Sequence, residues 1–336
     1  MTIRVAINGF GRIGRCVLRC GWNDPEIEFV HINDLTNDET LAHLLKYDSV
    51  HRKFEQDVVA VDGGLQIGDK FVHTSAERDP AKLPWAARNI DVVLECTGFF
   101  LSSDAAGKHL QAGAKRVIIS APAKGNDVKT IVVGVNDSEL LPENKIVSNA
   151  SCTTNCLAPL AKVLNDVFEI ESGLMTTIHS YTGDQNILDA PHSKDLRRAR
   201  SAAMSMVPTS TGAAQAVGLV LPELNGKLNG MAIRVPTPNV SLVDLVFTTK
   251  KPLSIEAIND ALVSASQGEL QGILACTSDP VVSIDMVGNN HSSIVDLDTT
   301  QIMGEHMGKV LSWYDNEWGF SNRMISLTKK VAALEA

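Results

Sequence analysis

The sequence predicts an α/β protein in two parts. The N-terminal part reads as a doubly wound parallel sheet. The C-terminal part reads as an α+β unit with a mixed, largely antiparallel sheet. Three observations carry this. The first half alternates short apolar runs with stretches of helical spacing, the signature of repeated β-α-β units. Beyond residue 152 the apolar period changes to the alternation of half-exposed strands. At 336 residues the chain is long enough to bury two cores.

Taken in order, Ile3–Asn8 is an apolar strand, Arg12–Gly21 a helix and Ile27–Asn33 a second strand. Asp91–Thr97 and Arg116–Ser120 read as buried strands on either side of a helical Asp104–Gln111. Thr130–Asn136 reads as another strand, and Lys145-Ile146-Val147 as the strand before a helix that includes Leu157–Leu164. In the second half Met175–Ser180, Met231–Val235, Ser241–Thr249 and Val281–Asp285 alternate as strands, with one helix over Ile255–Ser266. Tyr181–Pro208 has no clear period, and long irregular loops of this kind serve function or contact a partner. Asn316–Leu334 is helical again. The expected domains are 1–151, completed by a C-terminal helix at about 316–336, and 152–315.

A net charge of −9 argues against a protein built to grip nucleic acid. None of the six cysteines forms a C-x-x-C pair, so no metal site is expected. Met1-Thr2-Ile3-Arg4-Val5 enters a strand directly, and no apolar run is long enough to span a bilayer. The reading is a cytoplasmic protein with reduced thiols and no membrane partner.

Asn8-Gly9-Phe10-Gly11-Arg12-Ile13-Gly14 fits G-x-G-x-x-G between a strand and a helix. Gly9 permits the tight turn, Gly11 lets a pyrophosphate approach the backbone, and Gly14 lets the helix pack closely on the strand. The helix N-terminus then receives the diphosphate. An acid, Asp34, closes the next strand 20 residues after Gly14. It can accept hydrogen bonds from the adenosine ribose hydroxyls and would repel a 2′-phosphate, which selects NAD over NADP. The N-terminal part is therefore expected to be a Rossmann-type NAD-binding domain. Cys96-Thr97-Gly98-Phe99 and Ser120-Ala121-Pro122 end strands at the same carboxyl edge, where ligands bind in such sheets.

Ser148–Cys156 places a cysteine, Cys152, at a strand-to-helix turn. Free N–H groups and the positive helix end there favour a thiolate. An isolated S-C-T-T also reads as a small buried cysteine capping a helix. Joined to a nicotinamide cofactor, the nucleophilic reading points to aldehyde oxidation through a thiohemiacetal and an enzyme thioester. His179 ends a strand of the second domain and has the chemistry of a base, and its imidazolium would hold Cys152 as thiolate. The Cys152 N–H is the expected oxyanion donor. Ser151, Thr153, the hydroxyl-rich Thr209–Ala214 turn and Arg234 suggest phosphate binding, although Arg234 in a strand could instead form a buried ion pair with Asp244. Cys156 lies one helical turn from Cys152 and could trap it, once oxidised, as a disulfide.

Nearly end to end, from Ala6–Gly14 through Ser151-Cys152-Thr153-Thr154-Asn155 to Trp313-Tyr314-Asp315-Asn316-Glu317, the chain resembles the phosphorylating glyceraldehyde-3-phosphate dehydrogenases of bacterial type. The resemblance implies NAD-dependent oxidation of glyceraldehyde 3-phosphate to 1,3-bisphosphoglycerate, with Cys152 as nucleophile and His179 as base. It implies Thr182, Asp184 and Arg234 on the substrate phosphate. It implies Ser151, Thr153, Thr211, Gly212 and Arg198 on the attacking inorganic phosphate. Around the dinucleotide it implies Arg12, Ile13, Asp34, Arg78, Thr97, Ser120 and Asn316, beside Gly9, Gly11 and Gly14. It also implies a homotetramer in which the loop near Tyr181–Ser201 lines a neighbour's cofactor pocket. Phe320 departs from the tyrosine of many members. Asn316-Glu317-Trp318-Gly319-Phe320 also resembles erythrose-4-phosphate dehydrogenase, whereas His179–Gln185 retains the Thr182 and Asp184 of the triose enzyme. Rival classes are a Cys–His hydrolase or acyl transferase, which the Gly9–Asp34 fingerprint opposes, and a binding protein on a degenerate scaffold, which the intact nucleophile and base oppose.

Overall fold

The computed structural model describes residues 2–193 and 195–334. Lys194 of the irregular loop and the last two residues of the expected C-terminal helix lie outside the described residues. The chain forms two compact units. One comprises Met1–Ile131, Asp137–Ala150 and Ser321–Ala336, and the other Val132–Asn136 and Ser151–Phe320.

Among the described residues the first unit holds a nine-stranded sheet. Its order is Val58–Val61, Gly64–Ile67, Lys70–Ser75, Ile27–Asn33, Ile3–Asn8, Val92–Glu95, Arg116–Ile119, Ile146–Ser148 and Lys129–Thr130. From Lys70–Ser75 onward every pairing is parallel, and the first three strands form an antiparallel meander at one edge. The central strands Val92–Glu95 and Arg116–Ile119 are buried throughout and apolar except at Glu95 and Arg116, as a sheet covered on both sides requires. The register sets Asn8 beside Asn33 on one side and Glu95 on the other. The carboxyl ends of three strands thus meet at one point.

The second unit holds a seven-stranded mixed sheet in the order Val207–Ser210, Leu228–Val235, Ile170–Ser180, Ser241–Thr249, Met307–Tyr314, Ser293–Met303 and Leu274–Thr277. The helix Cys152–Phe168 packs on this sheet and against the helices Ala213–Val220 and Ile255–Gln267. Twelve of its 17 residues are buried, so it is apolar nearly all round. Burying each large side chain such as Leu157, Leu160 and Leu164 stabilises the unit by about 1.5–3 kcal/mol.

Two expected strands are absent. Thr130–Asn136 pairs only through Thr130 and then turns. Gly134 takes φ +86°, and the Asn136 side chain accepts the Val132 N–H that a ladder would have used. Ile131, Val132 and Val133 are buried all the same, so the apolar run reported burial and not pairing. Val281–Asp285 is likewise no strand, because Ser283–Met286 winds into a 3₁₀ turn in which Asp285 accepts the Val282 N–H. The strand near it is Leu274–Thr277, which the sequence did not reveal.

Gly230 sits opposite Met175, and a Cβ there would lie 2.3 Å from the Met175 carbonyl oxygen. The neighbour is backbone and cannot yield cheaply. Gly230→Ala is expected to destabilise the second unit by about 1–3 kcal/mol. A thermal melt unchanged within one degree would contradict this packing.

Candidate functional site

Within the second unit one sheet edge gathers the reactive side chains. His179 pairs in register with Arg234, and Ser241 pairs with Tyr314. Thr177 and His179, two residues apart, share a face. The helix beginning at Cys152 starts at this edge. Ser151 caps it by accepting the Thr154 N–H at 3.0 Å, and the Asn155 amide returns a bond to the Ser151 carbonyl. Ala150 takes φ +55° to turn the chain sharply into the helix. Cys152 is the first helical residue, where backbone N–H groups have no partner within the helix.

Cys152 Sγ lies 3.5 Å from His179 Nε2. The other ring nitrogen, Nδ1, lies 2.7 Å from the Ser180 carbonyl oxygen. A carbonyl can only accept, so Nδ1 carries a hydrogen, and in the neutral ring the Nε2 lone pair faces sulfur. The ring is also held edge-to-face by Tyr314, at 6.0 Å between centroids. The Tyr314 hydroxyl, deeply buried, bonds both Thr153 Oγ1 and Thr177 Oγ1 at 2.8 Å.

Burial pushes the Cys152 thiol up, opposed by the Arg234 guanidinium and by the Thr153 hydroxyl and N–H. Burial, followed by the positive charge of Arg234, drives His179 down to about 3, with the Ser180 carbonyl and Arg198 as smaller influences. This corrects the expectation of an imidazolium. At neutral pH His179 is an uncharged base, and what favours a Cys152 thiolate is Arg234 together with the helix N-terminus.

Two guanidiniums, Arg234 and Arg198, lie near this pair. Arg234 donates to the Ser180 carbonyl at 3.1 Å and to Thr182 Oγ1 at 3.3 Å, and its Nε is buried with no partner among the described residues. Asp244 does not pair with it, because that carboxylate meets Lys309 at 2.9 Å. Arg198 is fixed by Asp184 at 2.5 Å, by Thr209 Oγ1 at 3.0 Å and by the Ser210 carbonyl at 3.3 Å. Asp184 therefore meets a cation and not an anion directly. Thr211 Oγ1 accepts the Ala213 N–H where the helix Ala213–Val220 begins, and its N-cap, Gly212, makes no side-chain cap. Asn316 is buried, and its Oδ1 accepts the Ser180 and Ser241 hydroxyls, each at 2.9 Å. That leaves its amide N–H groups as the donors it can offer a ligand. Phe320 is buried.

The fingerprint forms a separate cavity within the first unit, of about 570 Å³. Gly9, Gly11, Asp34, Arg78 and Thr97 line it, together with Asn8, Asn33 and Phe99. The three glycines differ in purpose. A Cβ on Gly9 would meet the Thr97 nitrogen at 2.7 Å, and one on Gly14 would meet the Gly9 carbonyl at 2.3 Å. A Cβ on Gly11 would project into open space, so what that glycine keeps clear is the cavity itself. Gly11 is also the helix N-cap and supplies no side-chain acceptor, which leaves the first-turn N–H groups for a diphosphate. Asp34 accepts N–H groups from Phe10 at 2.7 Å and Thr36 at 2.9 Å, an arrangement that aims its remaining lone pairs. The residues present fit NAD. Arg12 turns one nitrogen of its guanidinium to Asp48 at 2.5 Å, and its backbone, like that of Ile13, lies in the first turn of the helix. Ser120 does not line the cavity and bonds the Cys96 thiol, which burial pushes up to about 12.

Sequence reasoning missed Tyr314, Ser180 and Ser241 as neighbours of the reactive side chains. The alternation over Met307–Tyr314 is the signal that would have turned Tyr314 inward. Cys156 is a buried free thiol beside Ser293 and the Ser312 carbonyl.

Two family models match the chain. Residues 3–103 match "Glyceraldehyde 3-phosphate dehydrogenase, NAD binding domain", and residues 151–316 match "Glyceraldehyde 3-phosphate dehydrogenase, C-terminal domain". The chain is 56% identical over 333 residues to glyceraldehyde-3-phosphate dehydrogenase 1 of Bacillus subtilis (strain 168), covering 99% of each. It is 55% identical over 334 residues to the glyceraldehyde-3-phosphate dehydrogenase of Geobacillus stearothermophilus, again over 99% of each. To that of Xanthobacter flavus it is 58% identical over 326 residues, 96% of this chain and 97% of the relative.

The depressed histidines set an acid dependence of stability. His179 is held at about 3 and His31 at about 4, against 6.5 for an unperturbed histidine, burial being the largest cause in each. Between those values the unfolded chain binds more protons than the folded one, so stability is full above pH 6.5 and falls as pH drops toward 3. The melting temperature is expected to decline over this window, and His179→Gln to flatten the decline. An identical slope in parent and variant would contradict the burial of a neutral His179.

Proposed function

The chain belongs to the glyceraldehyde-3-phosphate dehydrogenase family, and from that premise we propose how its residues carry out the NAD-dependent, phosphorylating oxidation of glyceraldehyde 3-phosphate. The observation that carries the proposal is the Cys152–His179 contact through Nε2, with Nδ1 fixed on the Ser180 carbonyl.

Arg234, with Thr182, holds the substrate phosphate. Asp184 holds Arg198 in place, and Arg198, with Thr211, Gly212, Ser151 and Thr153, receives the attacking inorganic phosphate. Anions seated there offset the positive charge that depresses His179, so His179 holds a proton more readily once substrate is bound, while the helix N-terminus still favours the Cys152 thiolate. The thiolate then adds to the aldehyde carbon, forming the C–S bond, and the carbonyl oxygen takes the proton from His179 to give a thiohemiacetal. The Cys152 N–H steadies that oxygen. His179 next removes the hydroxyl proton as the thiohemiacetal is oxidised to the thioester. The one chemistry required of bound NAD⁺ is to accept the hydride that leaves the carbon. A phosphate oxygen attacks the thioester carbonyl, the C–S bond breaks, and 1,3-bisphosphoglycerate departs from the regenerated Cys152.

Asn316 offers its amide N–H to the nicotinamide carboxamide. Gly9, Gly11 and Gly14, the Arg12 and Ile13 amides, Asp34, Arg78 and Thr97 bind the rest of the dinucleotide, with Ser120 behind them. The loop after His179 exposes Ile187, Leu188 and Leu196, and Met204 and Met206 beyond it are exposed too. Apolar side chains this exposed on one segment support assembly with further copies, and we place the chain in a homotetramer. Among the described residues no helix is long and apolar enough to cross a membrane. A cytoplasmic setting suits the six free thiols.

The test follows NADH formation with NAD⁺ and inorganic phosphate, comparing glyceraldehyde 3-phosphate with erythrose 4-phosphate by kcat/KM. The triose is expected to be preferred strongly, with turnover dependent on phosphate. Cys152→Ala should abolish turnover and leave NAD⁺ binding intact, and His179→Asn should lower kcat by about 10²–10⁴. Turnover by Cys152→Ala at the parent rate would sink the covalent course.

A further inference from the structure

We infer that Glu95 is a positioning residue of the dinucleotide site, the common acceptor on which three walls of the cavity are registered; the inference rests on the NAD-binding reading above. Glu95 is buried at 1% exposure at the end of its strand and is not itself a cavity-lining residue. Its Oε2 accepts the Asn8 amide at 2.6 Å and His109 Nε2 at 3.0 Å. Its Oε1 accepts the Thr97 N–H at 2.8 Å and is bonded to the Thr97 hydroxyl.

The direction of this network is not adjustable, because each branch ends on a group that cannot reverse. On the first branch, Asn33 is fixed by one residue's backbone, accepting the Glu77 N–H at 2.9 Å and donating to the Glu77 carbonyl at 2.9 Å. Its amide nitrogen must then donate to Asn8 Oδ1, at 2.7 Å, which turns the Asn8 amide nitrogen toward Glu95. On the second branch, the Trp85 indole N–H bonds His109 Nδ1 at 2.9 Å. An indole can only donate, so His109 Nδ1 is an acceptor, the ring is neutral, and Nε2–H points at Glu95. The third branch is the Thr97 backbone N–H itself. Both Glu95 oxygens therefore face at least one donor that cannot be turned into an acceptor.

Asn8 leads into Gly9, Asn33 leads into Asp34, and Thr97 packs against the space beside Gly9. All of them line the cavity, and they come from the ends of separate strands or from the turn beyond one. One buried carboxyl group thus sets the relative position of the diphosphate turn, the ribose-binding acid and the opposite wall. Only a group that accepts at both oxygens can do so.

Glu95→Gln is nearly isosteric yet places an NH₂ against a fixed donor in either orientation. It is expected to weaken NAD⁺ binding about tenfold or more by titration calorimetry, the size expected when a buried donor loses its acceptor. At saturating NAD⁺, kcat should stay within about threefold of the parent, and Cys152 alkylation by iodoacetamide without NAD⁺ should be unchanged, since it reports the second unit. Trp85→Phe, which frees the His109 tautomer, should weaken NAD⁺ binding by a smaller factor, and it decides the matter if Glu95→Gln does not fold. NAD⁺ binding within twofold of the parent in the folded variant would overturn the inference. A kcat loss matching the loss of affinity would also overturn it. Failure of the parent to bind NAD⁺ would instead overturn the functional reading on which it rests.

Discussion

Much of the chemistry hangs on the bond from His179 Nδ1 to the Ser180 carbonyl. It is made between neighbours in sequence and needs no charge. It fixes the tautomer, and with it the lone pair that faces Cys152 Sγ. The sheet then supplies what a local bond cannot. Burial keeps the imidazole neutral, and pairing His179 beside Arg234 adds a guanidinium whose charge acts in the same direction on the base while it favours a thiolate on Cys152. One cation therefore acts on both partners in opposite senses, and an anion docked on it relaxes both.

The two units solve a similar problem by different means. In the second, reactive side chains are held by side-chain hydrogen bonds: Tyr314 with Thr153 and Thr177, and Ser180 and Ser241 donating to Asn316. In the first, the shape of the cavity comes from glycines that clear space and from buried polar groups that hold the strand ends in place. The chain of donors from Trp85, Asn33 and Thr97 ends on Glu95, so a polar network in the core serves the geometry of a surface site.

The sequence exposed the parts of this molecule that depend on local order. Ile3–Asn8, Arg12–Gly21, Ile27–Asn33 and Ser241–Thr249 fall on the residues their periodicity predicts, because each is short, regular and backed by turn chemistry. The glycine fingerprint, Asp34 and the cysteine at a helix N-terminus were legible for the same reason. Thr130–Asn136 and Val281–Asp285 misled because burial of an apolar run is shared by strands and by buried turns, and Asn136 and Asp285 chose the turn through their own side chains.

What the sequence determined by itself was the set of reactive groups and the two-unit α/β class, since residue type and local spacing suffice for both. The tertiary structure alone decided which groups meet. Tyr314 reaches Thr153, 161 positions away, through the sheet edge. Asp244 was claimed by Lys309 and not by Arg234 because the antiparallel register aligned Asp244 with Leu311, close to Lys309. The protonation of His179 depended on burial and on the charge of Arg234, more than fifty residues away. Electrostatics and hydrogen-bond direction depend on distances through space, and the chain fixes those only once its strands have paired.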